Sequence, residues 1–227
     1  MSFEEASTIS MCALTSAQAI FPRFGLPSPF SPGSLPQDDP VNVLIYGASS
    51  SLGQFGAQLV QWAAQASGRK FRLFGTASAS KHEILRAAPY GFDVLVDYRE
   101  EDWPEKVKAA TGGSGVHFAL DTISERDTVE KVHSTLGSQG KYHVFRSQGG
   151  GEFDTSKLSI QPIYGTVWEG LGHEVDYGEG ICGPTSVMSI LQLLTPAQDL
   201  YSRRPPKRES LLPSSSRILG QGQKRAR

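Results

Sequence analysis

Cysteine is nearly absent from this sequence of 227 residues. The two cysteines, Cys12 and Cys182, stand 170 residues apart, which fits neither a metal-ligand pair nor a redox pair. A reducing compartment is therefore expected. The histidines show no H-x-x-x-H or His/Cys spacing either, so no metal ligand is assigned among them: they are His82, His117, His133, His143 and His173.

Long apolar runs are also missing. No segment approaches 18 uninterrupted apolar residues, and Glu4 and Glu5 occupy the place where a signal peptide needs positive charge. These absences predict a soluble cytoplasmic protein with no membrane partner.

Acidic side chains are scarce at the carboxy terminus. Between Arg203 and Arg227 there are eight Lys or Arg and one Glu, whereas the preceding chain is acidic. The same stretch is rich in Ser, Pro and Gly, a composition that predicts a disordered basic tail. Its RRPPKR run leaves nuclear targeting or nucleic-acid binding as an alternative, but isolated charge runs are usually just solvated, so nucleic acid is not the expected partner.

Two segments precede the first strand signal. Apolar residues recur at three- and four-residue steps from Phe3 to Phe24, which predicts a helix that ends at Gly25. The following LPSPFSPGSLPQDDP holds five prolines and one glycine in 15 residues, which predicts a surface connector.

From Val41 onward, short apolar runs alternate with amphipathic ones, the pattern of a parallel sheet with crossover helices. Strands are predicted at Val41–Tyr46, Phe71–Gly75, Val94–Val96, Val116–Leu120 and Lys141–Phe145, with a sixth candidate at Ile163–Trp168. Helices are predicted at Gly53–Ala66, Lys81–Ala88, Pro104–Ala110 and Glu125–Leu136. This order predicts an α/β fold, a doubly wound parallel sheet of the Rossmann type. The expected divisions are 1–40 for the helix and connector, 41–183 for the nucleotide-binding domain, and 184–227 for a short helix and the irregular basic tail.

The turn after the first strand reads GASSSLG. A dinucleotide fingerprint needs G-x-G-x-x-G at this place, and counting back from Gly53 the chain offers Ala48 and Ser50 for the first two glycines. The flanking strand and helix support phosphate binding at the helix amino terminus, helped by the hydroxyls of Ser49, Ser50 and Ser51. An ordinary loop in which a serine caps the following helix would account for the same GASSSLG sequence.

The end of the second strand bears on the choice of cofactor. NAD sites place an Asp or Glu there for the ribose hydroxyls, but residues 75–81 read GTASASK and the first acid is Glu83. Small hydroxyls and a lysine suit the extra phosphate of NADP, with Ser78 and Lys81 as the candidates. Helix capping by Ser80 is the competing explanation, and a cap and a phosphate site use the same unpaired amides.

In sequence, these segments resemble the zinc-free medium-chain dehydrogenase/reductase superfamily, and most of all its quinone oxidoreductase-like proteins and fungal trans-acting enoyl reductases. The similar segments run in order along the chain: FEEA, ALTSA, FGLP, GASSSLG, TAS, VDYR and ALD. The resemblance implies a truncation at both ends, because the chain begins at the family's bridging helix and lacks the catalytic domain that precedes it.

The resemblance also implies roles for individual residues. Cofactor contacts are expected at Ser49, Ser50, Ser51, Leu52, Gly53, Ser78, Lys81, Tyr98, Phe145 and Arg146. Substrate contacts are expected at Thr15, Thr166, Val167 and Gly170. Tyr98 could equally cover a sheet edge, and Phe145 contributes to packing whatever else it does. Asp121 closes a strand where α/β sheets place ligands, but helix capping explains it equally well.

The implied activity is that of an NADPH-dependent oxidoreductase that reduces the C=C bond of an enoyl thioester in secondary metabolism, with a polyketide synthase as a candidate partner. Catalytic residues are not assigned, since the missing domain supplies them in the family. Whether a chain without that domain turns over stays open. The alternative is a non-catalytic nucleotide-binding or interaction module that associates with itself through exposed apolar surface.

Overall fold

The computed structural model describes residues 2–29, 31–165 and 167. The chain enters through helix α1, Phe3–Gln18, which continues as a π-helical turn over Ala19–Arg23. Pro22 lies inside this turn, and the amide of Phe24 donates to the Ala19 carbonyl at 3.0 Å. Gly25 has a φ of +74°, so the helical segment ends where the sequence predicts. The connector then leads to the first strand.

Strands and helices alternate from Val41 to the end of the described chain. The strands are β1 Val41–Tyr46, β2 Phe71–Thr76, β3 Val94–Val96, β4 Val116–Asp121, β5 Leu136–Val144 and β6 Ile163–Tyr164. The helices are α2 Ser51–Ser67, α3 His82–Arg86, α4 Trp103–Ala110, α5 Asp127–Ser134 and α6 Gln148–Gly151, with a short 3₁₀ turn at Ala79–Lys81 before α3.

All strand pairs in the sheet are parallel, in the order β3-β2-β1-β4-β5-β6. This is the doubly wound order in which the connections turn back between β1 and β4, so the carboxyl ends of these two strands flank the crevice where such sheets bind ligands. The predicted fold class is confirmed.

Apolar side chains cover both faces of the sheet. One face packs under α2 and the π-helical turn around residues such as Phe24, Val43 and Phe118. The other packs under α4 and α5 around Leu44, Trp103 and Tyr142. All six residues of β1 are buried, which explains why five of them are apolar; the exception is Asn42.

Several boundaries differ from the sequence prediction, among them the helix predicted at Glu125–Leu136, which is Asp127–Ser134, so that Leu136 belongs to a strand instead. Strand β5 begins at Leu136 rather than Lys141, because Leu136 pairs with Val116 of β4. The Gly- and Ser-containing residues that follow Leu136 have little preference for a strand, so the sequence did not predict this part of β5. The third predicted helix, Lys81–Ala88, is shorter and is divided between the 3₁₀ turn and α3. Within the described residues, no helix is long and apolar enough to cross a membrane.

Candidate functional site

The turn between β1 and α2 forms the centre of the site. Gly47 has a φ of +77°, a left-handed conformation that favours glycine, and its amide donates to the Thr76 hydroxyl at 3.0 Å. The Ala48 amide donates to the Thr76 carbonyl at 2.9 Å, so β2 fixes the turn from the side. Ser50 is the N-cap of α2, and its hydroxyl accepts from the Gly53 amide at 3.0 Å.

Close backbone packing explains which fingerprint glycines this chain keeps. A Cβ on Gly53 would lie 2.5 Å from the Gly47 carbonyl oxygen, so only glycine fits where the helix meets the strand. Ala48 is fully buried in place of the first fingerprint glycine. Gly75 of the neighbouring strand makes room for it, since a Cβ there would lie 2.9 Å from the Ala48 methyl. The turn therefore has the required shape with fewer glycines than the motif demands.

Unpaired amides make this turn an anion site. In the described part of the chain, the amides of Ser49, Ser51 and Leu52 donate no hydrogen bond, and two of them begin the 17-residue helix α2. Ser49 and Ser51 are exposed and can add hydroxyl donors. The Ser50 hydroxyl is instead committed to the Gly53 amide and to Thr122 at 2.9 Å. The turn fits a phosphate group through amides and the positive end of the helix dipole.

Sequence reasoning missed two residues that hold this turn. Ser16 of α1 is 1% exposed and donates to the Leu52 carbonyl at 3.0 Å. Thr122, directly after β4, donates to the Tyr46 carbonyl at 2.8 Å and shares a hydrogen bond with Ser50. Neither lies near the turn in sequence, and no motif marks them. They are found only when the fold brings α1 and β4 to the end of β1.

The end of β2 carries the second group of candidates. Ser78 is half-buried and Lys81 is exposed, and within the described residues Lys81 forms no ion pair. The structure adds an acid to which the sequence analysis gave no role: Asp97, after β3, accepts from the Ala79 amide at 3.1 Å and from the Arg99 amide at 3.0 Å. These backbone donors, of Arg99 first and then Ala79, hold the pKa of Asp97 below its ordinary value.

Tyr98 lies at the same edge, next to Asp97. Its ring is 42% exposed, and the Arg99 guanidinium carbon lies 4.9 Å from the ring centroid. Because Asp97 bonds to Ala79, the loops after β2 and β3 are neighbours, and Ser78 and Tyr98 are on the same side of the crevice. An adenosine placed here would meet an exposed aromatic face and the cations of Lys81 and Arg99.

The ends of β4 and β5 form the opposite side. Asp121 is fully buried and accepts from the amides of Ile123 and Ser124 at 3.0 and 2.7 Å and from the Tyr142 hydroxyl at 3.0 Å. Burial raises the pKa of this carboxyl, opposed by those hydrogen bonds. Asp121 thus organises the loop after β4 and is closed off from a ligand.

Phe145 and Arg146 follow β5 at this edge. The Phe145 amide donates to the Ser124 hydroxyl at 2.9 Å, and its ring lies 4.6 Å from the His143 ring. Arg146 pairs with Glu125 at 2.8 Å, and both side chains are about half exposed. The two residues lie at the carboxyl edge, as predicted from the sequence, while their contact with a cofactor stays a prediction.

The predicted substrate residues are less well placed by the structure. Thr15 donates its hydroxyl to the Met11 carbonyl at 2.8 Å within α1, and Val167 is half-buried. Thr166 and Gly170 lie outside the described residues. A substrate role for these four positions stays a prediction.

Among residues 2–29, 31–165 and 167, no group of three or more His, Cys, Asp or Glu side chains is arranged to hold a metal ion.

Residues 55–166 match the family model described as zinc-binding dehydrogenase. The described residues do not fit the zinc that this name implies.

Curated relatives include fungal enoyl reductases. The trans-enoyl reductase phm4 of Pyrenochaetopsis sp is 30% identical over 141 residues, which cover 62% of this chain and 35% of that protein. The enoyl reductase cheB of Chaetomium globosum is 28% identical over 188 residues, covering 82% of this chain and 47% of that protein. The chain thus spans less than half the length of these two relatives.

Solved structures agree in fold. Escherichia coli quinone oxidoreductase complexed with NADPH matches with a TM-score of 0.58 at 22% identity, over 89% of this chain and 53% of that one. The CurK enoyl reductase matches with a TM-score of 0.56 at 21% identity, over 88% of this chain and 53% of that one. The family match over residues 55–166 and the similarity to the curated enoyl reductases show that this part of the chain belongs to the medium-chain dehydrogenase/reductase superfamily, while the solved structures show its fold.

Proposed function

We propose that this chain binds NADPH along the carboxyl edge of its sheet and forms the cofactor-binding part of an enoyl reductase. The observation that carries the proposal is the turn after β1. It presents the unpaired amides of Ser49, Ser51 and Leu52 at the start of α2, beside the crevice between β1 and β4. Pyrophosphate is the group that such a turn binds in doubly wound sheets.

The cofactor residues proposed from the sequence follow one line along this edge. Ser78, Lys81 and Tyr98 follow β2 and β3, the turn follows β1, and Phe145 and Arg146 follow β5. Three strand spacings separate β2 from β5, roughly 14 Å at the usual spacing between strands. An extended dinucleotide placed with its pyrophosphate on the turn would have its adenosine at β2 and its nicotinamide towards β4 and β5.

The preference for NADPH over NADH rests on charge. The Asp97 carboxylate, which could have bound ribose hydroxyls, already accepts from two amides and lies 3.4 Å from the Arg99 guanidinium. Exposed Lys81 is free of ion pairs within the described chain and lies beside Ser78. A phosphate on the ribose would therefore lie near the free positive charge of Lys81, whereas the negative charge of Asp97 is already engaged by hydrogen bonds and by Arg99.

Replacement of Lys81 tests this preference. We expect Lys81→Ala to raise the Kd for NADPH about tenfold, the effect of losing one charge-assisted phosphate contact near the surface, and to leave NADH binding unchanged. Lys157→Ala, an exposed lysine in the connection to β6 at the other end of the sheet, is the matched control. Fluorescence titration of the purified chain with both nucleotides measures the effect. An equal loss for both nucleotides would contradict the proposed phosphate contact.

Enoyl reduction is proposed from the relatives together with the site. Reducing the C=C bond of an enoyl thioester adds a hydride to one carbon and a proton to the other, and NADPH supplies the hydride when bound. The described residues would hold the cofactor by its phosphates and orient its nicotinamide. A polyketide synthase that carries the thioester is the partner we propose.

A pair of substitutions at Ser50 tests binding and turnover together. Asp and Asn both cap helices well, so Ser50→Asp and Ser50→Asn should fold alike, but only Asp places a negative charge at the phosphate site. We expect Ser50→Asp to bind NADPH about 30-fold more weakly than Ser50→Asn, a cost of about 2 kcal/mol. Oxidation of NADPH, followed by absorbance with a crotonyl thioester, should be retained in Ser50→Asn and lost in Ser50→Asp. Equal NADPH affinity in the two variants would contradict the proposal that this turn binds a phosphate of the cofactor.

The second candidate function is a non-catalytic nucleotide-binding module that pairs with another copy of the chain. It is favoured by apolar side chains left on the surface of α1 and α2, where Met11 is 59% and Trp62 is 55% exposed. NADPH binding without thioester-dependent oxidation in the same titration series would favour this function over the reductase.

A further inference from the structure

Two hydroxyl groups in line join the loop after β4 to the turn after β1. The Ser50 hydroxyl accepts from the Gly53 amide at 3.0 Å and lies 2.9 Å from the Thr122 hydroxyl. The Thr122 hydroxyl in turn lies 2.8 Å from the Tyr46 carbonyl oxygen. Strands β1 and β4 are neighbours in the sheet, so this line of hydrogen bonds connects the two strand ends that flank the crevice.

The direction of these hydrogen bonds follows from what each oxygen can do. A carbonyl oxygen only accepts, so the hydrogen of the Thr122 hydroxyl lies between Thr122 and Tyr46. Thr122 therefore has only lone pairs to offer Ser50, and the Ser50 hydroxyl donates to it. The Ser50 hydroxyl hydrogen is thus engaged by Thr122 and is not available to a phosphate.

Thr122 also packs against the turn. A Cβ on Gly47 would collide with Thr122 Oγ1 and would lie 3.1 Å from Ile123 Cγ1, so the loop after β4 fills the space beside the Gly47 α-carbon. The Thr122 backbone amide donates to the Tyr46 carbonyl at 3.1 Å, which extends the pairing of β1 with β4 beyond Asp121. Backbone bonding and packing therefore fix the position from which the Thr122 hydroxyl meets Ser50.

Phosphate binding by this turn depends on unpaired amides that must point at one position. These amides are next to Ser50 along the chain, and Ser50 is the N-cap of α2. The Ser50 hydroxyl can accept from the Gly53 amide in only part of its rotamers, and Thr122 is an acceptor that favours this one. Without the Thr122 hydroxyl the start of α2 would be less ordered, and ordering it would cost free energy when a phosphate binds.

We propose that Thr122 is a positioning residue for the cofactor: its hydroxyl holds the Ser50 side chain, and through it the start of α2, in the arrangement that binds the pyrophosphate. This inference rests on the proposed function and deepens it, since it gives the loop after β4 a role in phosphate binding.

Substitutions at Thr122 separate the hydroxyl from the rest of the side chain. Thr122→Val keeps the shape and removes the hydroxyl, whereas Thr122→Ser keeps the hydroxyl and removes the methyl group. We expect Thr122→Val to raise the Kd for NADPH about fivefold, the effect of one lost hydrogen bond, and Thr122→Ser to stay within about twofold of the unmodified chain. Fluorescence titration measures both. Thr122→Ala removes the same hydroxyl without crowding the turn, so it replaces Thr122→Val if that variant does not fold.

Adenosine 2′-monophosphate distinguishes positioning of the turn from a general defect. It has the adenosine and the 2′-phosphate of NADPH but no pyrophosphate, so its affinity should be the same in the unmodified chain, Thr122→Val and Thr122→Ser. Displacement of NADPH fluorescence measures this affinity. An equal loss for NADPH and for adenosine 2′-monophosphate in Thr122→Val would show damage to the whole site and would overturn the inference.

Ser50→Ala removes the other partner of the hydroxyl pair. If Thr122 acts through Ser50, adding Thr122→Val to Ser50→Ala should change the NADPH Kd by less than about twofold, because no hydroxyl is left to orient. If the two side chains act independently, the same addition should weaken binding by a further factor of about five. Multiplied effects of this kind would contradict the inference.

Thr111→Val is the matched control. Thr111 is half-buried like Thr122, and its hydroxyl donates to the Lys108 carbonyl at 2.7 Å and accepts from the Gly115 amide at 2.9 Å, at the opposite edge of the sheet. Its NADPH affinity should equal that of the unmodified chain. The inference alone fails if Thr122→Val binds NADPH like Thr111→Val, or if Thr122→Ser binds as weakly as Thr122→Val. If the unmodified chain binds no NADPH, the proposed function fails and the inference fails with it.

Discussion

Asp121→Ala is expected to lower the free energy of unfolding by about 4 kcal/mol, the range seen when one partner of a buried charged hydrogen-bond network is removed. The reason is the number of donors that lose their acceptor. The amides of Ile123 and Ser124 and the hydroxyl of Tyr142 all donate to this carboxyl, and Ser124 and Tyr142 are fully buried together with Asp121. Urea denaturation followed by circular dichroism measures the loss.

Asp121→Asn separates hydrogen bonding from charge. The amide oxygen of Asn keeps the two backbone donors, and the Tyr142 hydroxyl can turn to accept from the amide nitrogen. We therefore expect a loss of about 1 kcal/mol or less. Asp97→Ala is a useful comparison, because Asp97 also accepts from two backbone amides after a strand but lies near solvent, which can replace it. A loss in Asp121→Ala no larger than in Asp97→Ala would show that burial of the network is unimportant.

Stability is expected to fall on acidification because of His143. Burial, assisted by the positive charge of Arg23, lowers the pKa of His143 to about 3. Between the ordinary histidine pKa of about 6.5 and that value, the unfolded chain binds a proton that the folded chain excludes. The free energy of unfolding contributed by this residue therefore decreases by about 2 kcal/mol from pH 7 to pH 5.

The variant His143→Phe isolates this effect. Phenylalanine should keep the ring contacts with Phe24 and Phe145 and cannot titrate. Burial shifts Asp121 in the opposite sense: its raised pKa makes the folded state gain stability as pH falls through that pKa. Since both chains contain Asp121, the difference between their denaturation curves at each pH reports His143 alone. A difference that is constant from pH 7 to pH 5 would contradict the prediction.

The sequence predicts the centre of the fold better than its periphery. Strand β1 is found at Val41–Tyr46 as predicted, because a strand buried on both faces is mostly apolar in sequence. The first half of β5 could not be predicted, since Gly137, Ser138, Gln139 and Gly140 have little preference for a strand. They lie in an irregularity between the pairs Val116–Leu136 and Phe118–Lys141, and these two pairs place them in the strand.

The candidate site shows the same division. The turn at Gly47 and Gly53 is local, so a motif identifies it. Asp97, Ser16 and Thr122 reach the site from distant parts of the chain through hydrogen bonds to Ala79, Leu52 and Ser50. No acid follows β2 directly in the sequence, as expected, but in the structure Asp97 lies beside the end of β2 because it follows the neighbouring strand β3. The pairing of strands and the packing of helices, which a single sequence does not encode locally, decide these contacts.

Because of the π-helical turn at Ala19–Arg23, the two parts of one continuous helical segment pack against different elements. One extra residue in a helical turn rotates the following side chains by about 100° relative to an uninterrupted α-helix. Before the turn, Ala13 and Ala17 face α2, whereas after it Phe24 faces the sheet, 5.1 Å from the ring of Phe118. Lys141 of β5 donates to the Phe24 carbonyl at 2.8 Å and fixes this orientation. Phe24 therefore links the helical segment to β4 and β5, and a shift of α1 would be transmitted to these two strands.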